Sequence, residues 1–173
     1  MVIKDVQIHG WLKDVNDNFD ELVDFVSDDV GLGALRVARF EFAADEQDSA
    51  GADNSAIGAH GVGVTLPANA IIVGGFYDVN TPFTSENNTA TVAIHVEGAN
   101  DIVTATIVSN AIYGTKGRKA IIPKANTPES TSVKTTEARE ITCTVAVQAL
   151  ETGKLTGYLY FVEGLVSEDL PGS

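Results

Sequence analysis

Apolar residues along this chain follow two periods. In residues 11–30, WLKDVNDNFDELVDFVSDDV, Leu12, Val15, Phe19, Leu22 and Val26 recur at alternating spacings of three and four, with Val23 beside the stripe. That spacing predicts an amphipathic helix. Asp14 or Asp17 can cap its start, carboxylates in the first turn suit the helix dipole, and Gly31 and Gly33 are natural stops. From Leu35 the period becomes two. In LRVARFEFAA the apolar set Leu35, Val37, Phe40 and Phe42 changes phase once, which predicts a bulge near Ala38 or Arg39. Residues 44–61, acidic and small, read as a long exposed loop. Leu66-Pro67-Ala68-Asn69 then makes a turn or strand start, because Pro67 cannot donate to a ladder. Ala70 to Val79 is strand-like, with Gly74-Gly75 as a bend or bulge, and Ser85 to Thr89 is a turn. ATVAIHVEG alternates through Val92, Ile94 and Val96. Residues 100–113 fit a helix or a broken strand, and 114–139 read as loop around a short strand at 121–123.

The last apolar segments are ITCTVAV and LTGYLYFV. The pattern predicts a hairpin turning at Glu151-Thr152-Gly153-Lys154, with Gly153 able to take positive φ. In the first strand Ile141, Cys143, Val145 and Val147 share one face, opposite Thr142, Thr144 and Ala146. The second strand is apolar on both sides, with Leu155, Leu159 and Phe161 facing one way and Tyr158, Tyr160 and Val162 the other. Its second face needs a cover. The helical stripe could supply it, and so could another subunit, since interfaces are rich in Tyr. Several short strands with regular turn signals predict an all-β sandwich, jelly-roll-like, at 34–166, with an N-terminal helical arm at 1–33 and a C-terminal tail at 167–173.

Composition narrows the function classes. At 173 residues and 44% hydrophobic, the chain can bury a core without metal or disulfides, and its single cysteine, Cys143, forms no intrachain disulfide. The start lacks a cationic, apolar signal pattern, and no apolar run is long enough to span a bilayer, so the expectation is synthesis in a cytoplasm and no membrane partner. The net charge is −13, with 13 acids against four bases in residues 1–57 and six bases against two acids in residues 114–139. An acidic whole argues against nucleic acid as a partner, whereas the local basic segment could meet an acidic protein surface.

Signals for chemistry fail one by one. DVNDNFDELVDF matches a calcium loop at Asp14, Asn16 and Asn18, then places Phe19 where glycine is needed and Phe25 where a bidentate Glu is needed. A capped helix start explains the same residues. GLGALR at 31–36 lacks the third glycine of a dinucleotide fingerprint and precedes a strand, and GTKGRK at 114–119 lacks P-loop spacing. His9, His60 and His95 form no metal-binding pair, the acids Asp45, Glu46, Asp48 and Asp53 read as a solvated loop, and no serine sits in a nucleophile elbow. Cys143, at period two among apolar residues, is expected to be a buried hydrophobe. The expectation is a protein with no catalytic residues, cofactor or metal.

Two runs carry a resemblance. TLPANAIIVGGFYDVNTPFTSENNTATVAIHVEGANDIVTATIVS and KTTEAREITCTVAVQALETGKLTGYLYFVEG resemble the core of small tailed-bacteriophage virion proteins. The shared features are the Leu66–Asn69 turn into an apolar strand, the polar loop Thr84–Thr89, a strand ending at Gly98, and the Thr152–Lys154 turn before an aromatic final strand. The resemblance spans roughly residues 58–163 and rests on a pattern of folding features. It implies a β-sandwich of the head decoration, cement or fibre-associated kind. The expected role is a structural one, decorating or cementing a capsid exterior. The expected partners are a major capsid protein or other virion proteins, with self-association preferably as a homotrimer. The alternative is a tail or fibre adaptor, with a glycan-binding loop. Interface residues are expected on the helical stripe (Leu12, Val15, Phe19, Leu22, Val26) and at Tyr158 and Tyr160.

Overall fold

A computed structural model describes residues 35–124 and 132–163. The helical stripe, the calcium-loop-like run and the C-terminal tail read from the sequence lie outside the described residues.

Among the described residues eight strands form two four-stranded antiparallel sheets: β1 (Arg36–Ala43), β2 (Gly58–Leu66), β3 (Ala70–Thr84), β4 (Thr91–His95), β5 (Val103–Ile107), β6 (Gly117–Ile121), β7 (Arg139–Ala146) and β8 (Thr152–Glu163). One sheet has the order β1-β8-β3-β6 and the other β2-β7-β4-β5. The pairs β1–β8, β2–β7, β3–β6 and β4–β5 nest as one long hairpin folded over itself. That is the jelly roll, so the chain is an all-β sandwich of this kind.

Alternation explains which residues fill the sandwich. β1 pairs with β8 in one unbroken register from Arg36↔Phe161 to Ala43↔Lys154. The bulge expected near Ala38 or Arg39 is absent, because Ala38 takes the inward position together with Phe40 and Phe42 while Leu35 and Val37 stay exposed. The bulge at Gly74 is present: inward residues of β3 are even-numbered up to Ile72 and odd-numbered from Tyr77, and the register with β8 shifts between Ile72 and Gly74. On β8 two inward positions are glycines, since a Cβ on Gly157 would overlap the Phe40 ring and one on Gly153 the Phe83 ring. From the opposite sheet Ile141, Cys143, Val145, Val92 and Ile94 close the core.

The expected hairpin of β7 and β8 does not form. β7 pairs with β2 and β4, while β8 pairs with β1 and β3, so residues 147–151 cross from one sheet to the other. Val147 turns this corner at φ 73, with the Gln148 N–H donating to the Ala146 carbonyl across it, and is 69% exposed rather than on the buried face. Asn100–Tyr113 resolves into β5 and a short helix α1 (Ala111–Gly114), whose start is capped by the Asn110 side chain accepting from Ile112 N–H. The segment 114–139 contains β6 and the stretch 133–135, which hydrogen-bonds to Asn69, Ala70 and Ile72 beside β3.

Connections β1–β2, β3–β4, β5–β6 and β7–β8 gather at one end, tied by Leu150 N–H to Ser55 O, Glu151 N–H to Thr84 O and Val108 N–H to Ala90 O. The β1–β2 connection ends at Ile57, four residues earlier than its composition suggests, and is ordered from within. Asp48 accepts from the N–H groups of Ala50 and Ala52 and from His60, whose Nε2 lies 2.8 Å from the Ala56 carbonyl.

Candidate assembly surface

The outward face of sheet β1-β8-β3-β6 is graded along its strands. At the end where β1 begins and β8 finishes, Val162 and Ile71 face each other across the ladder, with Leu35 one residue before β1. The next row crosses the whole sheet: Val37, Tyr160 opposite it, the bulge at Val73–Gly74, and Ile122 one residue past β6. The third row is Arg39, Tyr158, Phe76 and Ala120, and the fourth is Glu41, Thr156, Asp78 and Arg118. Four of the large hydrophobic side chains most exposed among the described residues lie at the apolar end: Leu35 at 61%, Val37 at 55%, Val73 at 53% and Ile122 at 64%. A single exposed Val on a strand means little, but several in register make a contiguous patch.

Below the patch the aromatic and charged groups hold one another. Phe76 stacks on Tyr158 at 4.8 Å between centroids and meets Tyr160 edge-on at 6.1 Å. Arg118 lies 4.1 Å over the Phe76 ring and makes two hydrogen bonds to Asp78, at 3.1 and 2.9 Å. Those bonds hold the Asp78 carboxyl below the usual carboxylate range. Arg39 donates to Glu41, and Tyr158 first and Glu41 second raise its pKa further. Asn80 donates to Thr156 at 2.8 Å. Such locked arginines and tyrosines lose little freedom on contact, and these residue types dominate binding energy at protein interfaces.

Of the interface residues read from the sequence, Tyr158 and Tyr160 lie in the middle of this surface. The helical-stripe residues Leu12, Val15, Phe19, Leu22 and Val26 lie outside the described residues. Sequence reasoning missed Phe76, Arg118, Val37, Val73 and Ile122. The signal available was period two in β3 and β6, hidden by the glycine bulge and by the brevity of β6.

Among the described residues several groups that could do chemistry are buried or already paired. Among the described residues no group of three or more His, Cys, Asp or Glu side chains is placed to hold a metal ion. Burial pushes the Cys143 thiol up to about 12 and the Tyr77 phenol likewise to about 12. A groove of about 370 Å³ runs between the open edges of β1 and β2. Its carboxylates already have partners: Glu41 with Arg39, Glu46 with Lys154, and Asp48 with His60.

With this architecture in view, the comparisons have a place. In fold the chain is similar to a phage capsid chain. That chain comes from the capsid of Ralstonia phage GP4, at a TM-score of 0.53 and 18% identity, covering 78% of this chain and 88% of the other. Chains from the cyanophage Pam1 capsid asymmetric unit and from the acid-stable capsid of Helicobacter pylori bacteriophage KHP30 give TM-scores of 0.48 at 20% and 14% identity, covering 75% and 76% of this chain and 86% and 90% of theirs. No family model and no curated sequence matches the chain. At these identities the likeness is one of fold.

Proposed function

We propose that the protein is a structural, non-enzymatic component of a tailed-phage virion that decorates or cements the capsid exterior. The observation that carries this reading is the exposed apolar row across the β1-β8-β3-β6 face, set on a fold that a phage capsid chain shares. Attachment through such a patch is weak for one copy and strong for many on a lattice. The major capsid protein is the partner this reading names. A glycan platform is the poorer fit, because the Phe76 ring already stacks on Tyr158 and carries the Arg118 guanidinium over it.

The test is binding of the purified protein to capsids lacking it, with cryo-electron microscopy of the product. Density on the head exterior, lost with Tyr160→Asp, is the expected result. Binding to tails or fibres would move the protein to the adaptor class, and binding to no virion part would end the reading.

A further inference from the structure

A second exposed apolar surface lies on the other sheet and at the other end of the sandwich. Ile107 and Ala146 both pair with Thr91, and Ile57, one residue before the Gly58↔Val145 pair, extends the row. Ile57 is 60% exposed and Ile107 40%, and Val147 projects just beyond them. Val147 is β-branched yet held at φ 73, and the loops that hold it there are tied to it: the adjoining Gln148 side chain accepts from Asn87 N–H and Thr89 Oγ1. Among the described residues the exposed acids of this loop end are Asp45, Glu46, Asp53, Glu86 and Glu151, against the bases Lys116 and Lys154, the latter paired with Glu46. Beside the apolar end of the first surface the exposed charges left without an acidic partner among the described residues are Lys124 and Lys134, Lys134 bridging to Ile71, while Arg36 there pairs with Glu163.

We infer that copies of this protein associate head to tail, the acidic loop end around Ile57 and Val147 of one copy seating on the lysine-flanked Val37–Tyr160–Ile122 row of the next. The inference rests on reading the β1-β8-β3-β6 face as an assembly surface, and names a second copy as one occupant. Complementary charge selects that occupant. A like-to-like pairing of either surface would bring equal charges together, whereas the unlike pairing joins acid to base and apolar to apolar. Because the two surfaces differ and lie at opposite ends, the contact is heterologous, so repetition closes a ring or runs on as a chain.

The experiment uses full-length protein in analytical ultracentrifugation, with Val147→Glu and Ile122→Glu as single-surface variants. Wild type is expected to sediment as an oligomer that dissociates as salt rises. Each variant alone is expected to be a monomer, and an equimolar mixture to form dimers and nothing larger, because one live contact remains. Circular dichroism and the urea midpoint check folding. If either variant is unstable, Val147→Gly, which removes the side chain and relaxes the backbone, and Ile122→Ser replace them. A monomeric wild type, variants that assemble as wild type does, or a mixture that stays monomeric would each overturn the inference. Capsid binding, measured separately on Val147→Glu, whose substitution lies away from the Val37–Tyr160–Ile122 row, tests the virion reading without depending on self-association.

Discussion

At the scale of single residues, burial and hydrogen bonding fix what each reactive group can do. Cys143 is fully buried in the sandwich, between Ile141 and Val145 along β7. With its thiol pushed up to about 12, almost no thiolate is present at neutral pH, and the thiolate is the reactive form. Native protein should therefore react with a thiol reagent only as fast as it opens, and labelling should accelerate sharply in denaturant; rapid native labelling would contradict the burial. Asp48 is the contrasting case. Its carboxyl is held below the usual aspartate range by the Ala52 N–H first and by His60 and Ala50 as well. A depressed folded pKa means that the stabilisation is fully present above the ordinary aspartate value, about 3.9, and is lost as pH falls through the folded value. Asp48→Asn is expected to lower the urea midpoint at pH 7 and to flatten its fall on the acid side. A variant with the wild-type acid profile would show that another carboxylate governs it, Glu97 being similarly depressed by Thr136 and then Arg139.

Individual elements depend on matched positions across strands. β8 is the inner strand between β1 and β3, and its inward glycine at 157 stands opposite Phe40, whose ring occupies the space a side chain would take. Phe40 is 1% exposed, so its ring has nowhere to go. Gly157→Ala should then cost about 1–3 kcal/mol by overpacking, read as a lower urea midpoint. The exchange Gly157→Ala with Phe40→Leu should recover part of that loss, because the two positions share one volume. The same reasoning explains why β8 tolerates glycines in a strand interior, where they are ordinarily unfavourable: each is covered by a ring from a neighbouring strand.

For the whole molecule, the sheet order sets both folding and assembly. β1 and β8 pair from opposite ends of the sandwich sequence, so their ladder closes over the longest loop. Among the described residues the core formed by β1 to β8 is drawn from residues 38–161. A chain lacking residues 1–30 is expected to keep its β circular dichroism and a cooperative urea transition. Under the virion reading, it should bind undecorated capsids more weakly. Loss of the transition would make the N-terminal residues part of the core. Unchanged capsid binding would shift attention to the basic segment 114–139.

The sequence alone determined the fold class, because period-two apolar alternation and glycine–proline punctuation are local properties. It also located the Leu66–Asn69 turn, the Gly74 bulge and the burial of Cys143, each set by a residue's own backbone or its immediate neighbours. It placed Tyr158 and Tyr160 on the face of β8 opposite Leu155, Leu159 and Phe161, since side chains alternate along any strand. Tertiary structure decided the rest. That β7 and β8 belong to different sheets follows from which strands they pair with, and those partners are distant in sequence: Gly58–Leu66 and Thr91–His95 for β7, Arg36–Ala43 and Ala70–Thr84 for β8. The phase of β1 was misread for the same reason, because small Ala38 is an inward residue only in light of its partner Leu159. The apolar row from Val37 to Ile122 draws on four strands that sequence periodicity treats one at a time, so only their register brought its members together.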